Sequence, residues 1–265
     1  MPDWFGADRF ERAFKSALKR CNIRISDKLG EDIYIVTNGK SQLEINTAAA
    51  RRQFSRTRSQ ADADYFAEGI YEKLLLEDRL ISFTNAQAFL RLSITDEKNI
   101  EKGMIYTDFA GTLKKTVCYS GDDIELHMLS ESVLKRWSVP AEVLFSVADR
   151  NMGRILSKTT YRQDELGDGI NVIGFEALGS PLTVSMLLCT DFRELMTDKL
   201  GERFMAAAPS MESMLAVQEI SGAVLDNLGA AVVNDHKWAD NPLSTDIFLF
   251  TPKGVTVAKH FEPAL

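Results

Sequence analysis

An α+β fold is predicted, with antiparallel sheets packed by amphipathic helices in two sheet-forming halves, and three observations predict it. Helical stripes and alternating strands follow one another in runs, without the strict alternation that builds a doubly wound parallel sheet. Two chain reversals, Asn38-Gly39 and Thr251-Pro252-Lys253-Gly254, lie between alternating apolar residues, as antiparallel hairpins require. Capping residues and helix breakers recur where the periodicity changes. The halves divide as 1–128 and 129–265, or form one continuous domain of 265 residues.

The elements follow in order. Phe10, Ala13, Phe14, Ala17, Leu18 and Cys21 share one face of an opening helix, with Arg9, Arg12, Lys15 and Lys19 mostly opposite. Ile33 and Ile35, then Leu43 and Ile45, alternate about Asn38-Gly39 in a hairpin. Asn46 or Thr47 caps the next helix. A break at Arg58 to Ala61 leads into another helix, striped by Phe66, Ile70 and Leu74. Leu80 to Leu92 has mixed periodicity and is taken as strand. Met104 to Thr107, Leu113 to Tyr119 and Ile124 to Met128 form a meander turning at Ala110-Gly111 and Ser120-Gly121-Asp122.

In the second half, Ser130 caps a short helix ending at Trp137, and Pro140 opens a longer one striped by Leu144, Ala148 and Met152. Asn171 to Gly174 and Leu182 to Cys189 read as strands, the latter alternating at Leu182, Val184, Met186 and Leu188. Thr190 caps a helix that Gly201 ends. Strands follow at Phe204 to Ala208 and Met214 to Val217, then a helix striped by Ile220, Val224 and Leu228, then the closing hairpin.

Composition excludes several classes. With 45% hydrophobic and 26% charged residues the chain has globular rather than disordered usage. The start MPDWFGADRF has no continuous apolar run, so no secretory signal is expected; the longest apolar stretches, near Pro181 to Cys189, are too short to span a bilayer, and the cytoplasm is the expected compartment. Cys21, Cys118 and Cys189 are widely spaced in apolar surroundings and read as buried thiols rather than a disulfide frame or zinc site. A net charge of −7 makes nucleic acid an unexpected partner. The distribution is uneven, because residues 1–60 hold 12 Lys+Arg against 7 Asp+Glu.

Three stretches together resemble the YtpQ-like family of bacterial proteins: TLKKTVCYSGDDIELHMLSESVLKRWSVPAEVLFSVADRN, LGERFMAAAPSMESMLAV and DIFLFTPKGVTVAKHFEP. The resemblance implies a bacterial cytoplasmic domain and assigns no catalytic residue. The chain departs from the family's more aromatic strand-turn-strand by placing Asp122-Asp123 near the turn.

Chemistry-bearing patterns are sparse. No C-x-x-C or H-x-x-x-H pair offers metal ligands, and no metal or other cofactor is expected. Gly167-Asp168-Gly169 precedes a strand instead of opening a helix, so it is no dinucleotide loop; P-loop and G-x-S-x-G motifs are missing. His127 two residues after Glu125 sets an imidazole beside a carboxylate, or forms a solvent-facing pair on an amphipathic strand. Acidic pairs at Asp122-Asp123 and Asp164-Glu165 fit surface loops as well as catalysis. His236 and Trp238, in a loop from Asn234 to Pro242, make a recognition candidate, or Trp238 plugs that loop into the core. Arg51, Arg52, Arg56 and Arg58 on one helix, beside Ser55 and Ser59, suit a phosphate or carboxylate, or a solvated face. The expectation is a non-catalytic binding or adaptor protein for another protein or a small acidic ligand. The alternative is a carboxylate/His-dependent hydrolase using His127 or His236.

Overall fold

A computed structural model describes residues 4–121, 124–166, 169–175 and 182–262, without the side chains of 4–8, 124 and 125. The α+β class holds: among the described residues, eight helices accompany three antiparallel sheets. The Asp122-Asp123 pair, Gly167 and Asp168 lie outside the described residues, as does the side chain of Glu125. The chain divides into two compact units, Met1–Ala86 and Gln87–Leu265, so the strands between 90 and 128 belong with the C-terminal unit.

The first unit comprises α1 (Trp4–Arg20), β1 (Arg24–Lys28), β2 (Ile33–Thr37), β3 (Gln42–Asn46), α2 (Ala48–Thr57), α3 (Gln60–Arg79) and α4 (Phe83–Ala86). Its strands pair in the order β1-β2-β3, leaving β1 and β3 as edges. The Asn38 side chain accepts hydrogen bonds from the Lys40 and Ser41 amides at 2.9 and 3.0 Å, and Gly39 takes φ +95°, so the β2–β3 hairpin closes as its residues dictate. Phe10, Phe14 and Leu18 of α1 pack with Tyr34 and Val36 of β2 and with Ala67, Ile70 and Leu74 of α3 in one core. Phe14 sits at its centre, 5.6 Å from the Phe10 ring, 5.9 Å from Tyr34 and 5.8 Å from Phe66. Helix α1 ends in a Schellman motif: the Ile23 amide bonds the Leu18 carbonyl, the Asn22 amide bonds that of Lys19, and Asn22 adopts φ +57°. That reversal sends the chain directly into β1, a strand with only Ile25 half-buried and no apolar alternation to announce it.

The second unit holds two sheets. β4 (Leu90–Asp96), β5 (Tyr106–Ala110), β6 (Leu113–Gly121) and β7 (Ile124–Met128) make the first, in which β6 pairs with the other three. After α5 (Glu131–Trp137) and α6 (Ala141–Leu156) come β8 (Tyr161–Glu165), β9 (Asn171–Phe175), α7 (Thr190–Leu200), β10 (Phe204–Ala207), β11 (Met214–Gln218), α8 (Gly222–Trp238), β12 (Asp246–Thr251) and β13 (Gly254–His260). The second sheet runs β13-β12-β10-β11-β9-β8, every pair antiparallel. Asn151 of α6, buried, donates to the carbonyls of Gln87 and Leu90 at 2.8 and 3.0 Å and fixes where β4 begins. Asp149 of α6 accepts from the Thr190 amide at 3.0 Å and its hydroxyl at 2.8 Å. A carboxylate from a neighbouring helix therefore caps α7; Thr190 itself is the first helical residue and not the cap.

Two further expectations are corrected. Val184–Leu188 is a 3-10 helix, not a strand; every residue from 182 to 189 is buried, and alternation within a wholly buried segment carries no facial information. Leu80 to Leu92 is not one strand but the end of α3, α4, a 3-10 turn at Gln87–Phe89 and only then β4.

Candidate functional site

The four arginines of the second helix do not share one face. Arg51 is committed internally: its Nε donates to Asp32 Oδ1 at 2.6 Å, its Nη2 to the Glu31 carbonyl at 3.2 Å, and its guanidinium lies 4.9 Å from the Phe10 ring centre. It ties α2 to the β1–β2 turn and to α1. Arg58 lies beyond the helix as its C-cap, with φ +53° and its amide on the Phe54 carbonyl. Arg52 and Arg56 remain, one turn apart and exposed. Nor do the basic residues of α1 continue that pair in an uninterrupted stripe, since Glu11 pairs with Lys15 and Lys28, and Asp64 with Arg20. The Lys15 ammonium holds the Glu11 carboxyl below its usual range, against the opposing effect of burial.

The structure gathers cations elsewhere. A groove of about 760 Å³ runs between the C-terminal half of α1 and β1, floored by Leu18, Ile23 and Ile25 and bordered by Lys15, Lys19 and Arg24. Lys19 and Arg24 have no ion-pair partner among the described residues. Arg24 went unnoticed in the sequence, where its signal is only that the basic last turn of α1 is followed within four residues by another cation. Ahead of Ser26, where the pairing with β2 shifts, Arg24 and Ile25 of β1 give a short outer edge along the groove, and Lys28 ends the strand beyond it. An edge strand presents unpaired amides and carbonyls to an extended chain, and cations beside it select that chain's charge.

On the opposite edge of the same sheet a second groove, about 460 Å³, separates β3 from α3. Its border carries Glu44, Glu68 and Glu72 against one cation, Lys73, with Tyr65 80% exposed over it. Gly69 sits in the middle of α3 facing this space, and a Cβ built there meets nothing within 4 Å.

In the second unit, α8 runs to Trp238, so the segment from Asn234 to Trp238 is helical and only 239–242 of the expected loop remains loop. Trp238 is 76% exposed and so does not plug the core, while Lys237 stands 5.9 Å from its ring centre. Burial, with a smaller contribution from Lys98, holds the His236 imidazole below its ordinary pKa. His127 is exposed on β7 opposite Tyr119. His260 has a built partner: its Nδ1 lies 2.6 Å from Asp246 Oδ1, and the carboxylate is 10% exposed and the imidazole 60%. Lys115 Nζ is 3.4 Å from the Leu188 carbonyl and 5.8 Å from the Phe145 ring centre, and burial lowers its pKa. Burial pushes the Cys118 thiol up to about 12, leaving it protonated and inert.

Among the described residues no three His, Cys, Asp or Glu side chains are placed to hold a metal ion, and no helix is long and apolar enough to cross a membrane. In comparisons with protein-family models, curated proteins and solved structures, none matches this chain.

Proposed function

We propose that this protein is a non-catalytic binding protein whose N-terminal unit takes an extended acidic polypeptide segment into the groove between α1 and β1. One observation carries the reading: Lys19 and Arg24, without an ion-pair partner among the described residues, flank the start of an edge strand beside an apolar floor. Backbone pairing along the edge supplies affinity, half-buried Ile25 offers apolar contact over the buried Leu18 and Ile23, and the cations set the sign. Three free cysteines fit the reducing cytoplasm as the place of this exchange. Kinship with the YtpQ-like bacterial proteins, proposed from the three sequence stretches, adds no activity to it. The test is fluorescence anisotropy with labelled alternating Glu/Val and Lys/Val peptides at low and high salt. The acidic peptide is expected to bind more tightly, to weaken as salt screens it, and to lose about tenfold in affinity, ~1.4 kcal/mol, in Lys19→Glu/Arg24→Glu. Equal binding of both peptides, or an unchanged double variant, discards the reading.

A second reading, a carboxylate/His-dependent hydrolase, is favoured by the Asp246–His260 pair. An imidazole whose Nδ1–H is held by a buried carboxylate offers Nε2 to water as a general base. Turnover of chromogenic carboxylic or phosphoric esters that vanishes in His260→Ala supports it. Wild-type protein inert toward the whole panel removes it.

A further inference from the structure

We infer that the acidic groove between α3 and β3 receives the basic β1 edge of a second copy of this chain, so that copies join head to tail. The inference rests on the reading of the α1–β1 groove as a seat for an acidic segment, and it names that segment.

Edge strands in natural sheets are usually blunted by a lysine, a proline or a bulge. β3 carries none of these: Gln42–Asn46 pairs with β2 in unbroken register. Beside that open edge, Glu68 and Glu72 stand one turn apart on α3, a like-charge spacing that opposes the helix, and Glu44 projects from the strand itself. Gly69 is also locally unfavourable, since a glycine inside a helix is less stable there than alanine and nothing in the fold occupies the space of its missing Cβ. An open edge and two features that weaken the isolated helix thus converge on one groove, as is expected where a sequence serves a contact and not the fold alone.

The occupant follows from complementarity. The acidic groove is lined along β3 by Leu43–Asn46, and the basic groove along β1 by Arg24 and Ile25 just after the turn at Asn22 and Ile23, so linings of opposite sign stand at the two edges of one sheet. Lys19 and Arg24 of one copy meet Glu68 and Glu72 of the next, and the missing Cβ of Gly69 leaves room for the incoming backbone. A contact between two different patches is heterologous, so it propagates into a chain of copies or closes as a ring.

Sedimentation velocity of the full chain over a wide concentration range at low salt tests this. Wild-type protein is expected to associate with rising concentration and to dissociate as salt rises. Lys19→Glu/Arg24→Glu, which makes both edges acidic, and Glu68→Lys/Glu72→Lys, which makes both basic, are each expected to stay monomeric alone. Mixed in equal amounts they are expected to associate, because each then offers the other two complementary edges. A wild type monomeric at every concentration, either variant associating alone, or a mixture that stays monomeric overturns the inference. If the acidic peptide still binds the α1–β1 groove in that case, the binding reading stands without a second copy. If the peptide fails too, both fall.

Discussion

Phe250→Ala is expected to lower the stability of the C-terminal unit by about 3–5 kcal/mol, the range for truncating a well-packed aromatic side chain. Phe250 is 2% exposed on β12, and its ring stacks on that of Phe204 of β10 at 4.7 Å with an interplanar angle of 11°. Phe192 of α7 stands 6.2 Å away at 59° and Phe109 of β5 6.2 Å away at 56°. One ring therefore joins two strands of the large sheet to a helix and to a strand of the smaller sheet. Its removal forfeits apolar burial and ring–ring contacts together, and rigid strands on either side limit collapse of the cavity. Denaturant unfolding checks it: the midpoint should fall with the slope unchanged, and Phe250→Leu should recover much of the loss. A cost under about 1 kcal/mol would mean that neighbouring side chains close the space, contrary to the packing described.

How much of this was legible from residues depends on what each segment had to say locally. The two hairpins were legible because their turns are chemically specified: Asn38 bonds its own loop, and the Thr251 hydroxyl accepts from the Lys253 amide while Gly254 takes φ +139°. Strands β1 and β8 were not, because RISDK and YRQDE are almost wholly exposed and show no alternation. The 3-10 helix at Val184–Leu188 failed for the opposite reason, being buried on every side.

The candidate site was less legible than the fold. Arg51 looks like its three neighbours in sequence, and only tertiary placement over Phe10 and beside Asp32 removes it from the surface. The Asp246–His260 pair escapes simple counting as well. Stepping outward from Thr251 opposite Gly254 would set Asp246 against Lys259, but the register shifts between Ile247 and Phe248, and one extra residue brings His260 opposite instead. Grooves at sheet edges depend on strand order, which no local pattern encodes.

The two mid-helix glycines with opposite surroundings give the other large effect. Gly229→Ala is expected to cost about 1–2 kcal/mol, although alanine is the better helix former by about 1 kcal/mol. A Cβ at Gly229 would stand 2.2 Å from two carbons of the Phe261 ring, which packs in one cluster with Leu228 and Val232 of α8 and Val217 of the sheet. The ring must leave, and with it goes the Lys259 ammonium now 4.9 Å from its centre. Gly69→Ala, where the Cβ enters open space, should instead stabilise by about 0.5–1 kcal/mol. Denaturant unfolding of both single variants reads the two signs. Repeating Gly229→Ala in a Phe261→Ala background separates the causes, because with the ring gone only the helix preference remains and the substitution should turn neutral or stabilising. An undiminished cost in that background would show that the ring is not what the glycine accommodates, and the closing segment would then owe its position to β13 alone.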